Sequence, residues 1–531
     1  MRRLLCPVLV LAALPASAQP TVLEGDLPAA GPAFVLVPFE VPAGTAEIEV
    51  RHPVQQSENI LDYGLYDPSG AFRGWGGGNT EPIVVGAQAS SRSYLTGPMA
   101  AGTWNVVIGK AKVVAGPAKY RLEIELRTAP TLTAQPERRP YTPASALSAD
   151  ARWYAGDFHV HSKESGDAHP TLDEIGTFAR GRGLDFVELS DHNTTAQLDF
   201  MGDAQARHPR LLFVPGVEFT TYDGHANGIG ATAYVDHRFG VGGATFDGAV
   251  AAFGAQGAVF SINHPVLDLG QTCIGCAWRH PIPRDALGAV EIATGGWDKT
   301  GLLFTKQAIA FWDRLVGQGV HAAPLGGSDD HSGGAGAGAF DSPIGSPTTM
   351  VFATELSAKG IVEAVKAGRT VVKLQGPEDP MVDLVATVVP LDTGDARVTT
   401  LVGAHAAAPV GPVELGVRVT GGQGATLKLV QDGAEVSSEP ITADPFTART
   451  TVTIPETGER RLRAEVWVDG QPRTVSGHAF FSSKAEAPRG CGCSSPGPPL
   501  LGLLALGLGL RRRRRPSRVA NAPHRAGRRD A

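Results

Sequence analysis

Hydrophobic positions follow two different periods along the chain and divide it into three blocks. Residues 19–128 and 378–483 alternate apolar and polar positions, as in AEIEV and RLEIEL, and this period of two predicts β-strands. The turn sequences DPSG, QDGAE and VDGQP are typical of the connections between such strands. We therefore expect an N-terminal β-sandwich and a C-terminal immunoglobulin-like β module, with residues 129–151 as an extended, proline-rich linker.

The middle block, residues 152–375, alternates short apolar strands with longer helical patterns. In TLDEIGTFARGRG, Thr171 and Glu174 have the spacing of a capping box, and Ile175 and Phe178 fall on one helical face. The strand LDFVELS follows, and later segments repeat the order of helix and then strand. Such repetition predicts a parallel sheet wrapped by helices, and the number of repeats favours an α/β barrel.

Polar residues follow the apolar runs of this block, where strands give way to loops. They are His159, His161, Asp191, His192, Glu218, His264, Asp329, Asp330 and His331. Because the carboxyl ends of barrel strands open onto one face, we expect these side chains to converge in space. Mixed imidazole and carboxylate ligands suit zinc, manganese or iron, and carboxylates can bridge neighbouring ions.

The alternation within a strand adds a geometric expectation. Residues two apart on a strand point to the same side, so His159 and His161 are expected to project together. Asp329 and His331 have the same spacing and would project together if their strand continues through them. Any one of these sets is explained by ordinary polar residues at a strand end, whereas five sets in one block favour a metal centre.

The motifs HVHSKESGD, ELSDHN, VPGVEFT, GHANGIG, SINHP and GSDDH resemble the PHP (polymerase and histidinol phosphatase) metallohydrolases, specifically their CehA/McbA-like branch. The resemblance spans about residues 152–372. It implies a distorted (β/α)7 barrel with two or three divalent metal ions, flanked here by the two β-sandwich modules. Amidohydrolases also begin with HxH on a first barrel strand, but Glu218 and the SDH motif have no counterpart in their scheme.

The resemblance also implies a set of metal ligands. The first ion would be held by His159, His161, Glu218 and Asp329, the second by Glu218, His225 and His264, and the third by Asp167, His192 and His331. The neighbouring His169 competes with Asp167 for its place. Asp191 is expected to orient a ligand or to transfer a proton rather than to bind metal.

A centre of this kind predicts hydrolysis. Bound ions lower the pKa of water from ~15.7 towards ~7, so a metal-bridging hydroxide would attack a phosphorus or carbonyl centre. Asp191 or His331 would manage the proton of the leaving group. The resemblance favours a phosphoesterase acting on a phosphomonoester or nucleotide phosphate, with a carboxylic or carbamate ester hydrolase as the second candidate. A non-catalytic, metal-dependent surface binding protein that works through its β modules is the third.

Two features near the motifs each leave two interpretations open. The glycine-rich segment 332–340 is either a mobile rim over the site or an ordinary flexible loop. Trp278 and Trp297 either line a pocket for an aryl group or belong to the core.

Both termini carry targeting patterns. Residues 1–18 place two arginines before an apolar run and end in small residues, which predicts a secretory signal peptide. At the other end, a cysteine-containing linker (484–498) precedes an apolar segment and an arginine cluster (499–531). This order resembles the sorting tails of myxobacterial surface proteins (MYXO-CTERM). It implies a transmembrane tail read by C-terminal processing machinery, with the protein at the cell surface or outer membrane, or periplasmic or secreted after processing.

Composition narrows the expected partners. The chain has a net charge of −6, yet residues 511–531 contain nine arginines against one aspartate, so the rest is more acidic than the total indicates. An acidic body argues against nucleic-acid polymers as partners. The position of the arginines after an apolar segment favours a role in membrane topology. The partner that the PHP resemblance implies is a small-molecule ester substrate.

Two cysteines lie within the middle block, at Cys273 and Cys276 in the sequence CIGC. In an oxidising compartment this spacing predicts a local disulfide that stiffens a loop. A zinc knuckle would need a second cysteine pair, and this block contains none.

Overall fold

The computed structural model describes residues 19–295, 302–335, 342–388 and 397–484. The predicted signal peptide, Cys491 and Cys493, and the predicted sorting tail lie outside these residues, as do Trp297 and the end of the glycine-rich segment. Within the described chain, no helix combines the length and the apolar character that a membrane crossing requires.

The N-terminal block consists of two antiparallel sheets. Its strands are β1 (Thr21–Leu27), β2 (Phe34–Val41), β3 (Glu47–Arg51), β4 (Ile60–Tyr66), β5 (Phe72–Gly77), β6 (Ile83–Gly86), β7 (Gly102–Lys112) and β8 (Ala118–Arg127). One sheet has the order β1-β8-β3-β6 and the other β2-β7-β4-β5. The side chains of Ile48, Leu65 and Trp104 are fully buried in a core shared by the two sheets. We call this block the N-terminal sandwich.

The middle block, called the central block below, mixes helices and strands. Its strands are β9 (Arg152–Val160), β10 (Phe186–Leu189), β11 (Leu212–Pro215), β12 (Glu218–Thr221), β13 (Gly224–Ile229), β14 (Val259–Ile262), β15 (Leu287–Thr294), β16 (Ala323–Gly327), β17 (Thr348–Ala353) and β18 (Thr370–Lys373). Its helices are α1 (Leu172–Gly181), α2 (Leu198–Arg207), α3 (Phe246–Ala255), α4 (Leu302–Gly317) and α5 (Ala358–Lys366).

Helix α1 begins where the sequence predicts. The Thr171 side chain accepts a hydrogen bond from the backbone N–H of Glu174, whose carboxylate accepts one from the backbone N–H of Thr171. Ile175 and Ala179 are buried, and Phe178 packs beside them. The capping box is therefore confirmed, and it fixes the start of the helix that follows the histidine-rich first loop.

The strands of the central block divide between two sheets. Strands β9, β10 and β11 pair in parallel, as do β14, β15 and β16. However, β12 and β13 form an antiparallel hairpin, because the turn between Thr221 and Gly224 is far too short for the crossover that a parallel pair needs. The mixed α/β class is confirmed, whereas one continuous closed barrel is not.

Single backbone bridges link the two sheets at their ends. His192 bridges Glu218, and Val160 bridges Asp330. Because three of these four residues were singled out as strand-end polar groups, the candidate site lies where the two sheets meet.

The C-terminal block, called the C-terminal module below, is built from strands. They are β19 (Met381–Val388), β20 (Arg397–Thr400), β21 (His405–Ala407), β22 (Gly411–Thr420), β23 (Thr426–Gln431), β24 (Ala434–Pro440), β25 (Phe446–Ile454), β26 (Glu459–Val468), β27 (Gln471–Ser476) and β28 (Ala479–Ser482). One sheet has the order β20-β19-β22-β25. The other continues the central sheet, because β18 pairs with β27 through Val371 opposite Ser476.

Candidate metal centre

Four predicted ligands converge on one point. Asp329 Oδ1 lies 3.2 Å from His159 Nε2 and 3.1 Å from His161 Nε2. Glu218 Oε2 lies 3.4 Å from His159 Nε2 and 3.5 Å from His161 Nε2. Ligand atoms bonded at about 2.05 Å to one tetrahedral cation lie roughly 3.3 Å apart, so these spacings suit a shared ion.

The other oxygen of Glu218 faces a second pair of imidazoles. Glu218 Oε1 lies 3.3 Å from His225 Nδ1 and 3.4 Å from His264 Nε2. One fully buried carboxylate therefore presents one oxygen to each of two histidine pairs. If each histidine pair held an ion, this carboxylate would lie between the two.

A third set lies nearer to solvent. Asp167 Oδ2 is 3.3 Å from His192 Nε2 and 3.6 Å from His331 Nε2. His192 Nδ1 is also 2.7 Å from Glu218 Oε2, which connects this set to the other two. All nine residues named by the resemblance thus lie together, whereas His169 is exposed and belongs to none of the three sets.

Unpaired polar atoms mark the space between these side chains. His159 Nε2 and His225 Nδ1 are buried and, among the described residues, make no hydrogen bond. Burying such groups without partners is costly, so a native protein normally supplies a partner. A divalent cation accepts lone pairs from nitrogen and carboxylate oxygen alike, and the donor set therefore fits metal ions.

Backbone carbonyls fix which nitrogen of three imidazoles is free. His225 Nε2 lies 3.2 Å from Ile274 O, and His264 Nδ1 lies 2.8 Å from Cys276 O. His331 Nδ1 lies 2.9 Å from Asp329 O. Since a carbonyl only accepts, each of these ring nitrogens is the donor. In the neutral ring the opposite nitrogen carries the lone pair and faces the cluster, as a metal ligand must.

The loop that supplies two of these carbonyls is closed by a disulfide. Cys273 and Cys276 are bonded to each other, as predicted. Because Ile274 and Cys276 belong to this loop, the disulfide constrains the groups that orient His225 and His264. The CIGC motif is therefore structurally part of the centre, a role that its sequence did not indicate.

Asp329 and His331 reach the cluster by a different route from the predicted one. Strand β16 ends at Gly327, so the strand does not continue through them. Asp329 has a left-handed backbone (φ 56°), and the Asp330 carboxylate accepts hydrogen bonds from the N–H groups of Ser332 and Gly334. The chain therefore turns directly after the strand. The turn, rather than strand alternation, brings both side chains inward.

Glu291 is a buried residue of the centre that the sequence prediction missed. It lies on β15, with Oε1 3.2 Å from His159 Nδ1, and its Oε2 accepts a hydrogen bond from the backbone N–H of His264 at 2.8 Å. The available signal was an acidic residue inside the apolar strand LGAVEIAT.

Hydroxyl groups lie beside two further imidazoles of the centre. Ser165 Oγ lies 3.1 Å from His161 Nδ1, and Thr220 Oγ1 lies 2.6 Å from His192 Nδ1.

Asp191 holds the first loop in place. It is fully buried, and it accepts hydrogen bonds of 2.6 Å from both the backbone N–H and the hydroxyl of Ser162. Burial raises the pKa of Asp191 to about 8, despite the opposing effect of these hydrogen bonds. Both oxygens are engaged by the residue that follows His161, so the geometry supports an orienting role.

The charges of the cluster are strongly coupled. Burial disfavours a charged His159, but Asp329, Glu218 and Glu291 raise its pKa well above the ordinary value. Burial likewise opposes a charged His192, and Asp167 and Glu218 outweigh it, so its pKa is also raised. In the metal-free chain, protons on these imidazoles balance the carboxylates. A divalent cation would balance the same carboxylates, and its binding would release those protons.

Exposure is uneven across the centre. The side chains of His159, His161 and Glu218 are 0% exposed, whereas Asp329 is 27%, His331 29% and Asp167 57% exposed. The centre is therefore open to solvent on the side of Asp167 and His331.

The sequence leaves open whether Trp278 and Trp297 line an aryl pocket or belong to the core. Trp278 packs against Phe246, Phe260 and His280, which places it in the core around helix α3. Its partner in the expected aryl pocket, Trp297, lies outside the described residues. A cleft of about 420 Å³ does lie beside the disulfide loop, and its lining includes Lys112 and Arg279.

Comparisons with known proteins identify no family. No family model matches the chain, and no curated protein matches it. A two-domain protein from Bacteroides vulgatus ATCC 8482, named as containing a PHP-like metal-dependent phosphoesterase, is a similar solved structure. It is 18% identical, with 65% of this chain and 100% of that chain covered and a TM-score of 0.36.

Two further solved structures match shorter parts of the chain. An amidohydrolase from Chromobacterium violaceum with bound sulfate and no metal is 16% identical over 33% of this chain and 87% of that one, with a TM-score of 0.24. A protein named as a metal-dependent phosphoesterase from Bifidobacterium adolescentis is 14% identical over 34% and 89%, also with a TM-score of 0.24. Similarities this distant assign neither an activity nor a substrate to this chain.

Proposed function

We propose that this chain is a metal-dependent hydrolase of the PHP type and, among hydrolases, a phosphoesterase. The observation that carries the proposal is Glu218, whose two oxygens face separate histidine pairs at 3.3 to 3.5 Å. His159, His161 and Asp329 would hold one ion with it, and His225 and His264 a second. Asp167, His192 and His331 offer the donors for a third.

Bound divalent ions would lower the pKa of water and offset negative charge that develops on the substrate oxygens. The residues of the chain supply the remaining functions. Backbone carbonyls and Glu291 keep the ligating imidazoles in fixed orientations, which keeps the geometry of the centre ready for substrate. The side chains of His159 and Glu218 are fully buried, so the electrostatic interactions between them are stronger than they would be at the surface.

His331 is placed to serve the leaving group. It lies on the open side, and burial disfavours its charged form, but in the chain without bound metal Asp167 and Asp329 raise its pKa to about 9. When the third position carries no ion, a protonated His331 ring would donate to a leaving oxygen. Asp191 positions the first loop through its hydrogen bonds to Ser162 and would not contact the substrate.

The finer features of the proposal rest on sequence motifs. We propose membership of the CehA/McbA-like branch from the six sequence motifs of the central block. The two bridged sheets would act as that family's distorted barrel, with the β modules as flanking domains. We also propose export through residues 1–18 and surface attachment through the C-terminal tail, on the order of their apolar and arginine segments.

Parallel assays test the proposed reaction. The purified protein is stripped of metal, reloaded with zinc or manganese, and given an aryl phosphate, an aryl carbamate and an aryl carboxylate. We expect metal-dependent release of phosphate, and loss of that release in Glu218→Gln. Cleavage of the carbamate or carboxylate alone would replace the phosphoesterase by an ester hydrolase. If metal binds and nothing is cleaved, the centre is a binding site rather than a catalytic one.

A further inference from the structure

A second cluster of imidazole and carboxylate groups lies at the other end of strand β16. His321 precedes this strand, whereas Asp329 of the candidate metal centre follows it. His321 is joined there by His405 of β21 and Glu459 of β26. The cluster therefore connects the central block to the C-terminal module, on the far side of the strand from the proposed catalytic residues.

The spacing of these side chains suits a common cation. His321 Nε2 lies 2.9 Å from Glu459 Oε1, and His405 Nδ1 lies 3.6 Å from Glu459 Oε2. One potential ligand atom from each of the three residues lies within 4.8 Å of the others. Two imidazoles and one carboxylate form a three-ligand set that zinc accepts, with water at the remaining position.

Aromatic packing holds both rings in place without an ion. The His405 ring stacks on Phe480 with ring centroids 4.6 Å apart and planes 11° apart, and the His321 ring lies 4.5 Å from the same phenyl ring. The two imidazole centroids are 4.6 Å from each other. Since β21 pairs with β28 with His405 opposite Phe480, the stacking is built into the sheet register. Preorganised ligands lose little rotamer freedom when they bind.

Space for an ion is also present. A cavity of about 40 Å³ adjoins the cluster and is lined by His321, His405 and Lys366. That volume has room for a cation with at least one water molecule.

We propose that His321, His405 and Glu459 form a second divalent transition-metal site, of the class that binds zinc, at the junction between the central block and the C-terminal module. The site stands apart from the hydrolytic centre and does not depend on the proposed activity. Because its ligands come from both blocks, a bound ion stabilises their junction by its binding free energy.

Zinc content per chain tests the site in the full-length protein. Wild type, His405→Ala and Glu459→Gln are equilibrated with excess zinc, dialysed and measured by inductively coupled plasma mass spectrometry. Lys366→Ala is the matched control, because it alters the same cavity without removing a ligand. We expect wild type and the control to retain one more zinc ion than the two ligand variants. Calorimetric titration is expected to show at least about a tenfold weaker Kd for that ion in the variants, since even indirect metal contacts are worth 10- to 100-fold.

Two further measurements show whether the lost ion is structural or catalytic. Phosphate release from the aryl phosphate is expected to be equal in all four proteins, which shows that the lost ion is not catalytic. Zinc is expected to raise the Tm of wild type more than that of His405→Ala. Circular dichroism verifies folding, and His405→Gln replaces any variant that fails it. Equal zinc content and equal Kd in wild type and the folded ligand variants would overturn the proposal.

Discussion

Glu164 of the central block accepts a hydrogen bond from the backbone N–H of Ser93 in the N-terminal sandwich, at 2.9 Å. The carbonyl of Ser93 in turn accepts a hydrogen bond from the Thr194 hydroxyl at 2.9 Å. Glu164 lies three residues after His161, and Thr194 lies two residues after His192. One buried residue of the sandwich therefore holds two loops that carry proposed metal ligands.

Glu164→Ala is expected to destabilise the protein by about 1–3 kcal/mol, because it leaves the buried Ser93 N–H without a partner. Glu164→Gln keeps an oxygen acceptor at the same place and is expected to retain most of the stability. Urea unfolding of the two variants and wild type measures the difference. Equal losses in both variants would mean that the Ser93 contact contributes nothing.

Glu218→Gln is expected to weaken metal binding more than any other single change in the centre, because Glu218 faces both histidine pairs. The metal-free variant has a second expected property. With the carboxylate charge gone, His159 and His192 lose a partner that raises their pKa values, so both pKa values fall. Calorimetric titration with zinc measures the first effect, and NMR titration of the histidines measures the second. Unchanged histidine pKa values would contradict the charge coupling.

The stability of the metal-free protein is expected to fall as pH rises above neutrality. A group whose pKa is raised in the folded state contributes stability that is complete below its unfolded value and is lost as pH passes the folded value. For His331 that window runs from 6.5 to about 9, and His159 and His192 act in the same direction. Metal affinity is expected to rise over the same range, because the ligands must lose protons to bind. Thermal unfolding between pH 6 and 9 checks both predictions. The Tm without zinc should fall as pH rises, and the increase in Tm caused by zinc should grow. If the Tm values with and without zinc changed in parallel over this range, the interpretation would be refuted.

Glu291→Gln and Glu291→Ala test the residue that positions His159 and His264. We expect metal affinity to fall by about 10- to 100-fold in the alanine variant, as for other residues that orient metal ligands. Glutamine retains an acceptor for the His264 N–H, so its effect is expected to be smaller. Zinc titration of both variants gives the comparison. Wild-type affinity in Glu291→Ala would show that the imidazoles are held without it.

Opening the Cys273–Cys276 disulfide is expected to affect one ion selectively. The loop carbonyls of Ile274 and Cys276 orient His225 and His264, whereas His159 and His161 are held by other elements. Replacing both cysteines by alanine is therefore expected to weaken binding of the ion held by His225 and His264. Binding of the ion held by His159 and His161 is expected to be unchanged. Metal content after dialysis measures this, with wild type as the reference. Loss of every ion, or of none, would contradict the assignment.

Local sequence patterns were sufficient to predict several features. The Thr171–Glu174 capping box depends on residues three apart, and the apolar run before His264 correctly indicates the end of strand β14. Glu218 instead begins strand β12, and His159 lies within β9. The PHP resemblance then selected nine side chains that the structure brings together. His225 is the clearest case, since its motif and not its strand position pointed to it.

Features that depend on contacts between distant segments could not be predicted in the same way. Glu291 of β15 contacts His159 of β9, and Ser93 of the N-terminal sandwich contacts Glu164 of the central block. Because the partners are far apart in sequence, no local sequence pattern predicts either contact. The division into two sheets follows from the β12–β13 hairpin, which the alternation of helices and strands concealed. The turn at Asp329 depends on a left-handed residue that is not glycine, which sequence rarely signals.

Anomalous scattering from crystals grown with manganese or zinc tests the central claim most directly, because it locates each ion without reference to activity. We expect at least two anomalous peaks, one beside each oxygen of Glu218, separated by about 3.5–4 Å as in other two-metal hydrolytic sites. His159, His161 and Asp329 should contact one peak, and His225 and His264 the other. A metal-replete crystal with no peak in contact with Glu218 would contradict the proposed centre.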